Sequence, residues 1–139
     1  MTHPDRVYLR SFIIPANAID ENGHVNNVAY VQWMQDIAVE HYAASGGIAA
    51  QGQDATWVIR EHKIEYFLPA FAGEEIEIKT WVENVRRVRS LRKYEFVRKS
   101  DGRVLVKGET DWVFVDAKTG APRPIPEEVS KVFALSQEK

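Results

Sequence analysis

The sequence contains no cysteine, and this absence excludes three kinds of chemistry together. Without thiols a protein forms no disulfide, has no thiolate nucleophile and builds no cysteine-type zinc site. No apolar run approaches the roughly 20 residues that span a bilayer. The first residues, Met1 to Asp5, lack a basic segment followed by an apolar one, so they do not resemble a secretory signal. These absences predict a cytoplasmic protein without membrane insertion.

The sequence also has little excess of charge of either sign, with a net charge of -2. This balance argues against a general nucleic-acid binder. A chain of 139 residues has room for one core. We therefore expect a single domain over residues 1–139, with its core at about 6–128.

Two further classes of catalytic site are absent from the sequence. His3, His41 and His62 do not share a metal-ligand spacing, so no metal site is expected, and His41 is interpreted as a helix-flank residue. No Gly-x-Ser-x-Gly elbow occurs, which excludes that type of serine hydrolase. We expect no cofactor.

A change of hydrophobic period divides the chain into one long helix and a series of strands. Residues 6–14 have strand composition, and residues 28–42 have a wide apolar arc at helical spacing, with Asn26 or Asn27 as cap and residues 45–47 as a stop. Period-two patterns then predict strands at residues 57–67, 75–82, 90–97 and 104–115. A short terminal helix is expected at about 126–135. Serial strands with short connections predict an α+β fold, an antiparallel sheet covered by the long helix.

The most informative segment is residues 20–30, Asp-Glu-Asn-Gly-His-Val-Asn-Asn-Val-Ala-Tyr. It places an acid, an imidazole and several amides directly before the predicted long helix. The start of a helix offers backbone N–H donors without intrahelical partners and the positive end of the helix dipole. Acid–base groups beside such donors suit chemistry that develops negative charge on a carbonyl oxygen.

The motif Asp20-x-x-Gly23-His24-Val25-Asn26-Asn27-x-x-Tyr30 resembles the active-site loop of the hotdog-fold acyl-CoA thioesterases related to 4-hydroxybenzoyl-CoA thioesterase. It is also similar to the motif of the plant acyl-carrier-protein thioesterases. Downstream, residues 58–60, 64–66 and 69–70 fit the family's second strand, and Gly108, Asp116 and residues 124–126 fit its last strand and tail. The resemblance implies a curved antiparallel sheet wrapped around one central helix, over roughly residues 6–128.

The resemblance assigns roles to residues of the loop. Asp20 takes the position of the catalytic acid, as general base on water or as nucleophile, and the backbone N–H of Asn27 that of the carbonyl-polarising donor. His24 is a general base assisted by Asn22 in the plant-like reading. In the bacterial-like reading it shapes the loop or binds the substrate carbonyl. Tyr30 is expected to contact substrate.

Some features depart from the family pattern or sit outside the loop. Ala18 stands where many bacterial members carry a second acid, and Gly23 where the plant enzymes use Gln. Glu61 falls near the place of an additional carboxylate in some relatives, but a solvated strand position is the favoured explanation. Hotdog dehydratases use an acid on the central helix, which would be Asp36 or Glu40. Both fall on the helix's polar stripe, against that role.

A basic segment at residues 86–107 is the expected site for the phosphates of coenzyme A, with Arg86, Arg87, Arg89 and Arg92 as candidate ligands. A solvated hairpin is the alternative.

The expected reaction is hydrolysis of an acyl-CoA to the free acid and CoA. The alternatives are hydrolysis of an acyl-carrier-protein thioester, and a hotdog protein that binds thioesters without cleaving them. The open edges of a single sheet predict a homodimer or homotetramer, because an unpaired edge can pair with another subunit. The resemblance implies the same, since members of the family join two sheets edge to edge.

Overall fold

Five strands and one long helix make up most of the computed structural model, which describes residues 7–133. The strands are β1 (Tyr8–Ile13), β2 (Ala55–Tyr66), β3 (Glu75–Arg86), β4 (Arg89–Arg98) and β5 (Val104–Asp116). The helices are α1 (Asn27–Ala44), α2 (Gly47–Gln51) and α3 (Glu127–Val132), and a single 3₁₀ turn covers Ala16–Ala18.

The strands form one antiparallel sheet in the order β1-β3-β4-β5-β2, so β1 and β2 are its edges. Alternation of apolar and polar residues fixes which face is buried. In β3, Ile76, Ile78, Thr80 and Val82 are buried, and the residues between them are more exposed. Edge strand β2 carries an irregularity between Ile59 and Glu61, which is typical of a β-bulge.

Helix α1 covers the buried face of the sheet with the side chains of Tyr30, Met34, Ile37, Ala38 and His41. The helix approaches β5 closely at Gly108, where an added Cβ would lie 2.9 Å from Cε of Met34. A larger residue at this position would therefore displace the end of the Met34 side chain. The hydrophobic core around this contact includes Tyr94, Phe96 and Val106.

A second apolar cluster lies at the other end of the sheet, where α3 packs. Phe114 of β5, Val85 of β3 and Val129 and Phe133 at α3 belong to it. The N–H of Ile125 donates to the carbonyl of Arg87 at 2.7 Å and ties the C-terminal segment to the β3–β4 turn. The two clusters put one apolar centre under each end of α1.

The observed elements agree with the predicted ones to within a few residues, with two differences. Helix α2 was not predicted, because Gly46 and Gly47 indicate only where α1 ends. Gly46 adopts φ +86°, and this left-handed turn starts a second short helix. The interpretation of His41 as a helix-flank residue is wrong, since it is buried against the sheet.

Some predicted features lie outside the described residues: His3, the start of the first strand at Arg6, and the last two residues of the terminal helix, 134 and 135. Within residues 7–133, no helix is long and apolar enough to cross a membrane. The same residues contain no group of three or more His, Cys, Asp or Glu side chains placed to hold a metal ion.

Candidate active site

The loop before α1 is closed by backbone hydrogen bonds. The N–H of Asp20 donates to the carbonyl of His24 at 2.8 Å, and Gly23 adopts φ +79° at the tip between them. The N–H of Asn26 donates to the carbonyl of Ala18 at 2.8 Å, and Val25 donates to Ala70 at 2.9 Å. The loop is thus pinned both to itself and to the segment that follows β2.

The Asp20 carboxylate is held by the same loop. Its Oδ1 accepts the N–H of Asn22 at 2.9 Å and the N–H of His24 at 3.3 Å. Among the described residues no other group bonds to this carboxylate, so Oδ2 remains available to a substrate or water. The side chain is half-buried. Asp20 is therefore an oriented carboxylate with one uncommitted oxygen.

Helix α1 begins at Asn27, and Asn26 is its cap, since Asn26 Oδ1 accepts the N–H of Val28 at 2.8 Å. The N–H of Asn27 precedes the intrahelical hydrogen bonds, and the cap bond goes to the next residue instead. Asn27 is exposed. This leaves a backbone donor at the positive end of an 18-residue helix.

A cleft of about 410 Å³ opens beside this donor. Its polar lining comes from His24 and Asn27, and its apolar lining from Tyr30 and the segment 66–70. Phe67 and Tyr66 are both large apolar side chains left exposed there. The cleft therefore joins an apolar surface to the loop that carries Asp20, although the Asp20 side chain is not among its lining residues.

Tyr30 forms the back of this cleft and is a rigid aromatic group. Its ring packs edge-on against Phe96 and Tyr66, with centroids 5.1 and 5.7 Å away. Burial raises the pKa of Tyr30 to about 12, so its phenol stays neutral at physiological pH. Its ring can pack against an apolar substrate group, and its neutral hydroxyl can form a hydrogen bond.

The His24 side chain lies at the cleft mouth and is exposed. Its ring meets the edge of Phe71 at 5.3 Å, and it makes no side-chain hydrogen bond to a described residue. Asn22 lies in the turn and does not line the cleft; only its N–H contacts Asp20. The structure thus brings His24, Asn27 and Tyr30 together and leaves Asn22 at the loop surface.

The carboxylates predicted outside the loop lie elsewhere. Glu61 is exposed on β2, opposite Asp111, and does not line the cleft. On α1, Asp36 accepts a hydrogen bond from Gln32 at 2.8 Å, and Glu40 binds Tyr8 and Arg10 at 2.8 and 2.9 Å. The two helix acids are therefore occupied by surface contacts.

The four candidate arginines have separate environments. Arg86 and Arg87 are exposed at the β3–β4 turn, and Arg89 pairs with Asp111. Arg92 is buried under α1 and is bonded to His41 and Thr80. A buried guanidinium cannot share a surface phosphate site with Arg86 and Arg87.

The β3–β4 turn also lies at the far end of the sheet from the cleft. Arg89 is in register with Val113 of β5, whereas Tyr66 at the cleft is in register with Val106. Seven residues of strand separate these positions, about 23 Å at roughly 3.3 Å per residue. Within one chain the basic turn and the cleft are therefore far apart.

Two features of the structure, one in the cleft and one outside it, are not evident from the sequence alone. The segment 66–70 was interpreted as the end of a strand and a turn, yet it forms the apolar wall of the cleft. The adjacent aromatic pair Tyr66-Phe67, which breaks the alternation of β2, is the signal that indicates it. The contact between His41 and Arg92 joins residues 51 positions apart and has no local signal.

Comparison with known proteins places this geometry in a family. A profile of the thioesterase-like superfamily matches residues 14–133, which include the loop, the cleft and four of the five strands, β2 to β5. No curated protein sequence matches the chain.

Several solved structures share the fold. A 1,4-dihydroxy-2-naphthoyl-CoA thioesterase from Synechocystis is 14% identical with a TM-score of 0.80, covering 91% of this chain and 95% of its own. A protein from Pseudomonas aeruginosa is 21% identical with a TM-score of 0.82, covering 95% and 92%. An acyl-ACP thioesterase from Bacteroides thetaiotaomicron is 25% identical with a TM-score of 0.81, covering 88% of this chain and 51% of its own. The predicted α+β hotdog architecture is confirmed.

Proposed function

The chain belongs to the thioesterase-like superfamily, and we propose that it hydrolyses an acyl-CoA to the free carboxylic acid and CoA. The observation that carries the proposal is that one short loop holds the Asp20 carboxylate in place and leads directly to the N–H of Asn27 at the start of α1. A carboxylate with one uncommitted oxygen and a donor at a helix start supply the two functions that thioester hydrolysis requires.

In the proposed reaction, the thioester carbonyl oxygen accepts the N–H of Asn27 as negative charge develops on it. A donor fixed in this way typically contributes about 3 kcal/mol to the stability of the transition state. The cap bond from Asn26 to Val28 supports this role, because it fixes the first turn without using the Asn27 donor. The helix dipole adds to the same polarisation.

Asp20 supplies the attack on the carbonyl carbon by one of two routes. As general base it takes a proton from water, a carbon–oxygen bond forms, and the carbon–sulfur bond breaks to release the thiolate, which is then protonated. As nucleophile its oxygen bonds to the carbonyl carbon, the carbon–sulfur bond breaks to release the thiolate, and water opens the resulting mixed anhydride in a second step to give the free acid and the Asp20 carboxylate. The two hydrogen bonds to Oδ1 orient the carboxylate for either route.

The cleft supports an apolar acyl group. Tyr30 and the segment 66–70 offer hydrocarbon and aromatic surface next to Asn27, and a volume of about 410 Å³ exceeds what a short acyl group fills. His24 at the mouth is placed to contact the carbonyl or the attacking water.

The experiment is a hydrolysis panel that measures thiol release from short, long and aromatic acyl-CoAs, with the same acyl groups on acyl-carrier protein. Hydrolysis of one or more acyl-CoAs with kcat/KM at least tenfold above that for the carrier-protein ester supports the proposal. Absence of thiol release from every ester, together with retained ester binding, would instead identify a thioester-binding protein that does not cleave its ligand.

The acyl-carrier-protein ester is the second candidate substrate because of one comparison. The Bacteroides protein, at 25% identity, is an acyl-ACP thioesterase, although this chain spans about half of its length. A preference for the carrier-protein ester in the same panel would favour this alternative.

We also propose that the active form is a homodimer or a tetramer built from such dimers, joined through edge strand β2. This strand spans 12 residues, against six for β1, and its end at Tyr66 lies at the cleft. An unpaired edge offers a row of backbone donors and acceptors for a second copy. A two-fold axis through this edge pairs the β2 strands antiparallel, so the far end of one chain lies beside the cleft of the other.

This arrangement supports a role in CoA binding for the β3–β4 turn. The turn is far from the cleft of its own chain, but antiparallel pairing brings the partner's copy of the turn towards it. Light scattering tests the assembly: we expect a multiple of 15.9 kDa. A monomer that is fully active at assay concentration would contradict it.

A further inference from the structure

A second cavity of about 340 Å³ lies under the C-terminal half of α1, at the opposite end of the helix from Asn27. Most of its lining is apolar or aromatic, and it includes Val39, Tyr42, Ile48, Trp57, Trp112 and Phe133. The cleft described above shares none of its lining residues. This cavity has no part in the proposed hydrolysis.

One charged side chain lines the cavity. Arg92 of β4 is only 4% exposed. Its Nη1 donates to Nδ1 of His41 at 2.8 Å and to Oγ1 of Thr80 at 3.1 Å, and its guanidinium carbon lies 5.7 Å from the centre of the Phe133 ring. These contacts fix the plane of the guanidinium within the cavity wall.

The partners of Arg92 do not neutralise it. Arginine only donates hydrogen bonds, so Nδ1 of His41 is an acceptor and the imidazole is neutral with its proton on Nε2. Burial, with the charge of Arg92 beside it, lowers the pKa of His41 to about 4. Burial lowers the pKa of Arg92 to about 10, so it remains charged at neutral pH. Among the described residues no carboxylate pairs with it.

Arg92 has further donor groups that bond to no described residue. Only Nη1 has hydrogen-bond acceptors among the described residues, which leaves Nε and Nη2 without any. Buried charges are normally paired, because removing an ion from water without a counter-ion is costly. Nε and Nη2 form one side of the planar fork that matches both oxygens of a carboxylate.

We propose that this cavity binds a carboxylic acid with a hydrocarbon body, its carboxylate paired with Nε and Nη2 of Arg92 and its body against Trp57, Trp112 and Tyr42. An apolar cavity of about 150 Å³ holds benzene, so this one accommodates an aryl or medium-chain acid of about eight to ten carbons. The ligand belongs to the same chemical class as the product of the proposed hydrolysis, but its site is separate from the cleft.

Calorimetric titration with octanoate, and with octanamide as its uncharged counterpart, tests the proposal. The two probes share chain length and differ in charge. We expect octanoate to bind at least tenfold more tightly to the wild-type protein. Arg92→Met, which keeps an unbranched apolar stem and removes the charge, should bring the two probes to equal affinity. The NMR signal of the Arg92 Nε–H should shift with octanoate and not with octanamide.

A second variant keeps the test independent of any effect of Arg92→Met on folding. Val39 is 57% exposed at the cavity rim, so Val39→Trp can obstruct the entrance without disturbing the core. It should weaken octanoate binding at least fivefold. The matched control is Val28→Trp, which adds the same ring at a position 72% exposed on the same helix and outside the cavity. It should leave binding unchanged.

Equal binding of octanoate and octanamide to the wild-type protein would overturn the proposal, as would no binding of either. A preference for octanoate that survives Arg92→Met would also overturn it, because the carboxylate would then bind elsewhere. Neither probe is a thioester, so the titration does not depend on whether the protein hydrolyses acyl-CoA. The proposed function can therefore fail while this site is confirmed, and this site can fail while the proposed function is confirmed.

Discussion

The two ends of α1 handle polar groups in opposite ways. At the N-terminal end, Asp20, His24 and Asn27 stay at least partly exposed, and backbone N–H groups hold the carboxylate. At the C-terminal end, His41 and Arg92 are buried and hold one another through side chains. The first end retains open donors and acceptors in contact with water, whereas the second places a charge in an apolar surrounding.

This difference separates activity from stability. Backbone hydrogen bonds hold the N-terminal loop, and they survive substitutions that preserve a side-chain acceptor. The C-terminal cluster depends on the chemistry of each side chain, because a buried polar group without its partner is destabilising. We therefore expect changes at the loop to affect turnover, and changes at the cluster to affect the free energy of unfolding.

The largest effect that this contrast predicts is on turnover, with Asp20→Asn. The amide oxygen of Asn can still accept the N–H groups of Asn22 and His24, so the loop keeps its shape. It can neither take a proton nor attack the carbonyl, and kcat should fall by about 10²–10⁴. Thiol-release kinetics and a thermal melt measure both consequences.

The control for this variant is Asp36→Asn, which neutralises an exposed acid in the middle of α1. Among the described residues Asp36 bonds only to Gln32, so kcat should not change. A kcat of Asp20→Asn within a few-fold of the wild-type value would remove the assignment of Asp20 as the reacting carboxylate.

The second prediction concerns pH and the C-terminal end. The pKa of His41 is about 4 in the folded protein, below its ordinary value, so the unfolded chain binds more protons as the pH falls below about 6.5. The contribution of His41 is thus complete above pH ~6.5 and is lost as the pH falls towards 4. The loss should be on the order of 3 kcal/mol in the free energy of unfolding.

Denaturant unfolding at several pH values measures this dependence, and His41→Gln is the control. Gln keeps an oxygen acceptor for Arg92 but does not titrate, so its stability curve should be flatter between pH 6.5 and 4. An identical slope in the two proteins would show that other groups cause the acid sensitivity.

The five strands, α1 and α3 could be predicted from the sequence because each carries a local signal, whereas α2 could not. The alternation of β3 and the Asp101-Gly102 turn specify strands and a hairpin, and the predicted α1 begins and ends within two residues of the observed helix. The motif around Asp20 likewise lies within one short loop, so its proximity to the start of α1 follows from spacing alone.

Contacts between distant parts of the chain could not be predicted in this way. Arg92 occupies a buried position of β4, but a strand pattern with Ser90 and Tyr94 beside it does not reveal which face points to α1. Its partner His41 resembled an ordinary residue on the helix flank. Only the packing of α1 across the sheet determines that these two side chains meet and that Arg86, Arg87 and Arg92 do not form one cluster.

The third prediction tests whether the N-terminal end depends on its helix cap. Asn26→Ala removes the acceptor for the N–H of Val28 and should lower the free energy of unfolding by about 1 kcal/mol. It also loosens the first turn that carries the Asn27 donor, so kcat should fall several-fold. Denaturant unfolding and steady-state kinetics measure the two effects.

The matched control is Asn17→Ala, at an exposed asparagine in the 3₁₀ turn that caps no helix. It should leave both quantities unchanged. If Asn26→Ala lowers stability and leaves kcat at the wild-type value, the start of α1 does not have to be rigid for turnover.

The smallest predicted effect is on KM, and it concerns the β3–β4 turn at the end of the sheet beneath the C-terminal half of α1. If the partner's β3–β4 turn lies beside the cleft, Arg87→Ala should raise KM for acyl-CoA, because Arg87 can contact the nucleotide phosphates. An exposed charge contact is worth about 0.2–1 kcal/mol, so the rise should be only about 1.5- to 5-fold and should disappear at high salt. KM for the acyl-pantetheine ester, which lacks the nucleotide, should not change.

The control is Arg103→Ala, at an exposed arginine in the β4–β5 turn, near the cleft of its own chain. If each chain binds CoA with its own residues, Arg103→Ala should raise KM and Arg87→Ala should not. The opposite pattern requires a second chain, since Arg87 lies at the end of the sheet away from its own cleft. The pair of variants therefore decides whether the arginine that binds CoA comes from the same chain as the cleft or from the partner chain. This result does not depend on the role of Asp20.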